Sequence, residues 1–147
     1  MAPRSNPRKL VHPLEGYLGY QLRRAANFMQ ADLVRRSADL GLTIVEMSTL
    51  LVIEANPGVT QSEIGRLIAI KRANMVPLAA GLIERGLILA SPVDGRSLGL
   101  RLTAVGMDLA ARVRQRVAEN EALLFRNLAD DTAKSLPRQL QQIWREA

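Results

Sequence analysis

The 147-residue sequence predicts a mainly α-helical protein that carries one small β-hairpin. Three observations predict it. Helix formers dominate, aromatic residues make up only 3%, and clusters of β-branched residues are few. Two Thr-x-x-Glu pairs, Thr43 with Glu46 and Thr60 with Glu63, read as capping boxes that each open a helix. Late in the chain, Leu98, Leu100 and Leu102 alternate with Gly99, Arg101 and Thr103, the period of a strand with one buried face. With 48% apolar residues and this length, one domain with one core is expected.

Taken in order, residues 1–13 hold three prolines and little apolar periodicity, which predicts an irregular arm. A long helix is expected over about 14–38, with Leu18, Leu22, Ala25, Met29 and Leu33 as its core-facing stripe. The Thr43 box opens a helix over about 43–55, which stops at "NPG" (56–58). The Thr60 box opens a short helix over about 60–68. "IAIK" (68–71) is a tight connection to the next helix, which runs to Arg85 with Met75, Val76, Ala79, Leu82 and Ile83 as its buried stripe. Gly86 follows as the residue able to take the left-handed conformation that ends a helix. Strands "LILAS" and "LGLRLT" then flank "PVDGR", whose Pro and Asp-Gly suit a hairpin tip. After Thr103 a helix runs to about 127, with Val105, Leu109, Val113, Val117, Leu124 and Leu128 near one face. "ADD" (129–131) caps a last helix whose apolar side is Leu136, Leu140, Ile143 and Trp144. Two short helices joined by a tight turn and followed by a hairpin make a winged helix-turn-helix. The long helices at the two ends have no evident partner within so small a domain, so pairing with a second copy is expected to cover them.

Pro77 leaves two readings of the helix before Gly86. Inside a helix, proline lacks the amide hydrogen and clashes with the carbonyl four residues back, at a cost of about 3 kcal/mol. Either Asn74 caps a helix that begins at Met75, and its side chain is occupied, or a kinked helix begins near Lys71. The earlier start is the expectation.

The net charge is +6, and its placement carries the functional information. Arg4, Arg8 and Lys9 stand in the arm with no acid. Residues 60–103 hold Arg66, Lys71, Arg72, Arg85, Arg96 and Arg101 against Glu63, Glu84 and Asp94, six cations to three acids. The remainder balances, eleven against eleven. Such a footprint suits neutralisation of phosphates, although arginine outnumbers lysine 17 to 3 and an arginine-rich composition alone raises the charge. Cysteine is absent, which excludes disulfides and thiolate metal sites. No apolar run has the length of a membrane span and residues 1–13 lack a signal-peptide core, so the cytoplasm is the default location. The single histidine, His12, lies in the arm, and no glycine-rich phosphate loop is present. Asp130 and Asp131 read as helix-capping acids. An enzyme is not expected, nor is any cofactor.

"TQSEIGRLIAIKRANMVPLAAGLIERGLI" followed by "VDGRSLGLRLTAVG" resembles the MarR family of bacterial transcription regulators. The residues that carry the likeness are Leu82, Gly86 and Leu87, then Asp94 and Arg96, then Leu102, Thr103 and Gly106. The resemblance implies a homodimer in which segments 14–40 and 104–147 interlock and segment 42–103 of each protomer is a DNA-binding winged unit. It implies a recognition helix in the major groove, with Lys71, Arg72 and Asn74 on its outward N-terminal side, and a wing that carries Asp94, Arg96 and Ser97 to the flanking minor groove. Arg96 is similar to a wing-tip arginine, and Asp94 to the residue that orients the loop through an arginine. Pairing of Asp94 with Arg96 on an exposed turn is the structural alternative. Two-fold symmetry implies a palindromic duplex operator with half-sites about one turn apart.

Tyr17, Tyr20, Arg24 and Asn27, at i, i+3, i+7 and i+10, form a second stripe on the first helix. Two phenols, a guanidinium and an amide suit an aromatic acid, ring on ring with the carboxylate on Arg24. The resemblance adds that members bind aromatic effectors, and some acyl-CoA thioesters, between the first helices and the winged region, which weakens their hold on DNA. The alternative is that the stripe packs at a dimer seam. The function expected is that of a ligand-responsive dimeric repressor, and the rival is a winged-helix module that binds protein instead.

Overall fold

The computed structural model describes residues 10–92 and 97–145. It contains α1 (Leu18–Arg36), a short 3-10 turn (Ala38–Leu40), α2 (Ile44–Ala55), β1 (Val59–Thr60), α3 (Gln61–Leu67), α4 (Arg72–Glu84), β2 (Ile88–Pro92), β3 (Leu98–Leu102), α5 (Ala104–Phe125) and α6 (Asp130–Arg145). Both expected capping boxes form. The Thr43 and Thr60 hydroxyls accept from the amides of Glu46 and Glu63, and each glutamate accepts from its threonine amide in return. Helix α1 starts four residues later than expected, because residues 13–16 form a turn and Tyr17 offers no side-chain cap.

The wing is a three-stranded antiparallel sheet in the order β1-β3-β2, where the sequence predicts two strands. Leu100 of β3 pairs with Val59 on one side and Ala90 on the other. Two residues are too few to show a period, so β1 is invisible until its partner is in place. The hairpin tip, residues 93–96, lies outside the described residues, and Asp94 and Arg96 with it.

The core runs from Leu40 to Val113 and joins the winged unit to the first half of α5, with Leu50, Ile53, Ile64, Leu82 and Leu100 at its centre. The stripe of α4 differs from expectation. Met75, Ala79 and Leu82 are buried and Leu78 half-buried, at helical spacing, whereas Val76 and Ile83 fall one residue off that row and are exposed. The terminal helices differ more. On α1, Leu22, Met29 and Leu33 are half-covered, but Leu18 is 67% exposed and Ala25 is exposed too. On α5, Val113 is buried while Val105 is exposed. None of the α6 residues is buried, and Trp144 is 62% exposed. Within one chain these stripes have little to pack on.

Candidate nucleic-acid interface

The turn between α3 and α4 brings Arg66 and Arg72 to one cleft. Ala69 takes a left-handed φ of 54° and the Ile70 amide bonds the Gly65 carbonyl at 2.8 Å. A Cβ on Gly65 would stand 2.9 Å from the Ile70 carbonyl oxygen, so the turn closes tightly only over glycine. Helix α4 begins at Arg72 with Lys71 as its N-cap residue, and Pro77 lies inside it. This is the earlier of the two starts. Asn74 therefore sits in the first turn with its amide on the Lys71 carbonyl at 2.9 Å, and its side chain is not spent as a cap.

Arg72 and Ser97 line one open cleft of about 620 Å³, together with Gln61, Ser62 and Arg66 of α3 and Val76 of α4. The cleft lies between α3, α4 and the root of the wing. Lys71 and Asn74 lie on the other flank of α4, where they line a smaller cleft of about 450 Å³ with Val45, Ala69 and Leu78. The expected DNA-contacting set thus divides across two sides of one helix end. Gln61 and Ser62 carry no functional signal in the sequence, and Arg66 enters there only as charge, although its place on α3 after the Thr60 cap marks it. Arg101, on β3, is a further cation of this region and packs across the 56–58 turn, 3.4 Å from where a Cβ of Gly58 would lie.

Most cations of this region stand outside salt bridges, although the charge of Arg66 helps to hold the Glu63 carboxyl below its ordinary range. Among the described residues, Arg66, Lys71, Arg72 and Arg101 form no ion pair. Arginines elsewhere do: Arg35 and Arg36 with Asp32, Arg112 and Arg116 with Asp39, and Arg114 with Glu54. Arg85 is in the basic segment but is committed internally, its guanidinium on Glu46 at 2.9 Å and on the Gly41 carbonyl at 3.0 Å. That clamp ties the end of α4 to the start of α2.

The second stripe lies on the uncovered side of α1. Tyr17, Arg24 and Asn27 are exposed, while Leu22, Met29 and Leu33 turn toward the chain's own fold and the Met29 carbonyl accepts from buried Asn120 of α5 at 3.4 Å. Tyr20 shares a 2.7 Å hydrogen bond with His12, and the Arg24 guanidinium carbon stands 5.9 Å from its ring centroid. The chain's own winged unit does not close over this stripe. Among the described residues, no helix is long and apolar enough to cross a membrane, and no group of His, Asp or Glu is placed to hold a metal ion.

A helix-turn-helix with a sheet wing and a cluster of unpaired cations beside it is the architecture of a DNA-binding regulator. The sequence model of the MarR family matches residues 40–97. A protein of Thauera aromatica, named for transcriptional regulation of the hcr operon, is 32% identical, with 94% of this chain and 86% of that protein covered. The transcriptional repressor CouR bound to a 23-mer DNA duplex superimposes with a TM-score of 0.86 at 36% identity, covering 92% of this chain and 99% of that one. CouR bound to p-coumaroyl-CoA gives 0.83 at 33% identity, covering 95% and 100%. A MarR family protein of Mycobacterium tuberculosis in complex with salicylic acid gives 0.70 at 26% identity, covering 88% and 97%. The chain belongs to the MarR family of transcriptional regulators.

Proposed function

We propose that this chain is one protomer of a homodimeric, cytoplasmic repressor that holds a palindromic duplex operator and releases it on binding an aromatic acid or its CoA thioester. The observation that carries the DNA reading is the cleft between α3, α4 and the wing root, where Arg66 and Arg72 form no salt bridge among the described residues. In this reading segment 42–103 is the DNA-binding unit. Lys71, Arg72 and Asn74 meet the major groove, Ser97 the backbone at the wing root, and Asp94 and Arg96 the flanking minor groove. Segments 14–40 and 104–147 pair with the second protomer, which covers the bare faces of α1 and α6. Tyr17, Tyr20, Arg24 and Asn27 take the effector, and because their side of α1 faces away from the chain's own winged unit, the second wall comes from the partner. CouR, solved both with DNA and with an aromatic CoA thioester, supports the pairing of operator and effector.

Fluorescence anisotropy with the intergenic DNA beside the protein's own gene tests this, against scrambled DNA and at several salt concentrations. The expected result is tight binding of the native fragment alone, with a log–log salt slope of about −0.9 per phosphate neutralised. Arg72→Ala should weaken it and flatten the slope. Equal, weak binding of both DNAs would overturn the reading in favour of a protein-binding module.

A further inference from the structure

Helix α1 carries four arginines, and they fall into two classes. Arg35 and Arg36 are both neutralised by Asp32. Arg23 and Arg24, one helical segment earlier, have no carboxylate partner among the described residues; they flank the Tyr20 ring instead, with guanidinium carbons 5.5 and 5.9 Å from its centroid. The third neighbour of that ring is His12, with ring centroids 5.0 Å apart and its Nε2 on the tyrosine hydroxyl. Two guanidiniums outside any salt bridge and an imidazole around one half-buried aromatic ring make a surface for a ligand with several negative charges and a flat ring.

An aromatic monocarboxylate meets only part of this. Its single charge satisfies one guanidinium and leaves the other bare. A CoA thioester has no carboxylate at the acyl end, and its charge lies on the diphosphate and 3′-phosphate of a tail that ends in adenine. Guanidinium forks match phosphate oxygens in geometry and charge, and an aromatic face stacks on a purine. We propose that His12, Tyr20, Arg23 and Arg24 form the subsite for the phosphorylated nucleotide end of a CoA thioester, which makes the thioester, rather than the free acid, the effector. The proposal rests on the effector reading above and adds Arg23 and His12 to the residues that reading uses.

Isothermal titration of the full-length protein with p-coumaroyl-CoA, p-coumaric acid and coenzyme A, paired with release of operator DNA, tests it. Wild type should bind the thioester and, more weakly, coenzyme A, and only the thioester should release DNA. Arg23→Gln should weaken thioester and coenzyme A binding about 10-fold, and Arg23→Gln/Arg24→Gln about 100-fold, since each removes a charge-assisted contact. Both positions are exposed, so folding should survive, and a thermal melt checks that. DNA affinity and its salt slope should not move. Thioester binding undiminished in the double variant would overturn the subsite alone, as would free acid releasing DNA as well as the thioester does. A double variant with weakened DNA binding and a shallower salt slope would reassign the cluster to DNA phosphates. Failure of all three compounds to release DNA from wild type would overturn the effector reading itself, and the subsite with it.

Discussion

Gly106 has no room for a side chain, since a Cβ there would stand 1.9 Å from the Leu87 carbonyl oxygen. Around that contact the two halves of the Leu-Thr-x-x-Gly and Leu-x-x-x-Gly-Leu patterns meet. Gly86 takes φ 66° after α4, and the Thr103 hydroxyl donates to its carbonyl at 2.7 Å while accepting from the Gly106 amide at 3.0 Å. Thr103 thereby caps α5 and ties it to the end of the recognition helix. Gly106→Ala should destabilise the fold by about 3 kcal/mol or more, because backbone must move, and a urea titration would record this as a lower midpoint. Pro77 gives the opposite case. It removes the amide that would bond the Ala73 carbonyl, and Pro77→Ala should raise stability by up to about 3 kcal/mol in the same titration. The spacing of Gly106 was legible in the sequence, but its reason was not, since the atom it avoids belongs to a strand entry 19 residues upstream. Asn74 was undecided for the same kind of cause: the N-cap position depends on where the α3–α4 turn ends, and that turn is set by contact with Gly65.

Among the elements, α2 and α3 were the most legible, because a capping box fixes a helix start through residues only three apart. The elements are then held to one another by charge pairs that sequence spacing could not reveal, such as Asp39 of the 3-10 turn with Arg112 and Arg116 of α5. Burial alone would raise the Asp39 pKa, but the hydrogen bond and charge of Arg116 outweigh it and hold the carboxyl below its ordinary range. Hydrogen bonds from Arg36 and Arg35 lower Asp32 as well. The Thr60 amide and hydroxyl lower Glu63 in the α3 capping box. A carboxyl with a lowered folded pKa contributes stability at neutral pH that is lost as pH falls through the ordinary carboxylate range toward the folded value. The urea midpoint should therefore hold near neutrality and drop below about pH 4, where these groups take up protons. Asp39→Asn should lower the neutral midpoint and make the acid drop shallower, which a midpoint-against-pH series would measure.

In the whole molecule, the helical period fixes the angle between the leucine-rich and tyrosine-rich stripes of α1, but one sequence cannot say what each stripe meets. Half of the answer lies in this chain, where Leu22, Met29 and Leu33 turn toward the fold. The other half is expected from a second copy, since Leu18, Phe28, Ile143 and Trp144 are all more than half exposed in the single chain. Burying such apolar faces is worth about 25 cal/mol per Å², which offsets part of the entropic cost of association. The melting temperature should accordingly rise with protein concentration, because binding between folded chains stabilises them by mass action. Emission from Trp144, the single tryptophan, should shift to the red on dilution as its ring returns to water. Ile143→Glu/Trp144→Glu places two charges on the face to be buried and should give a folded monomer by sedimentation. With one winged unit per particle, the second half-site is no longer reached at high local concentration, and operator affinity should fall about 100-fold or more. A double variant that remains dimeric and binds DNA unchanged would assign the bare face of α6 to something other than a second protomer.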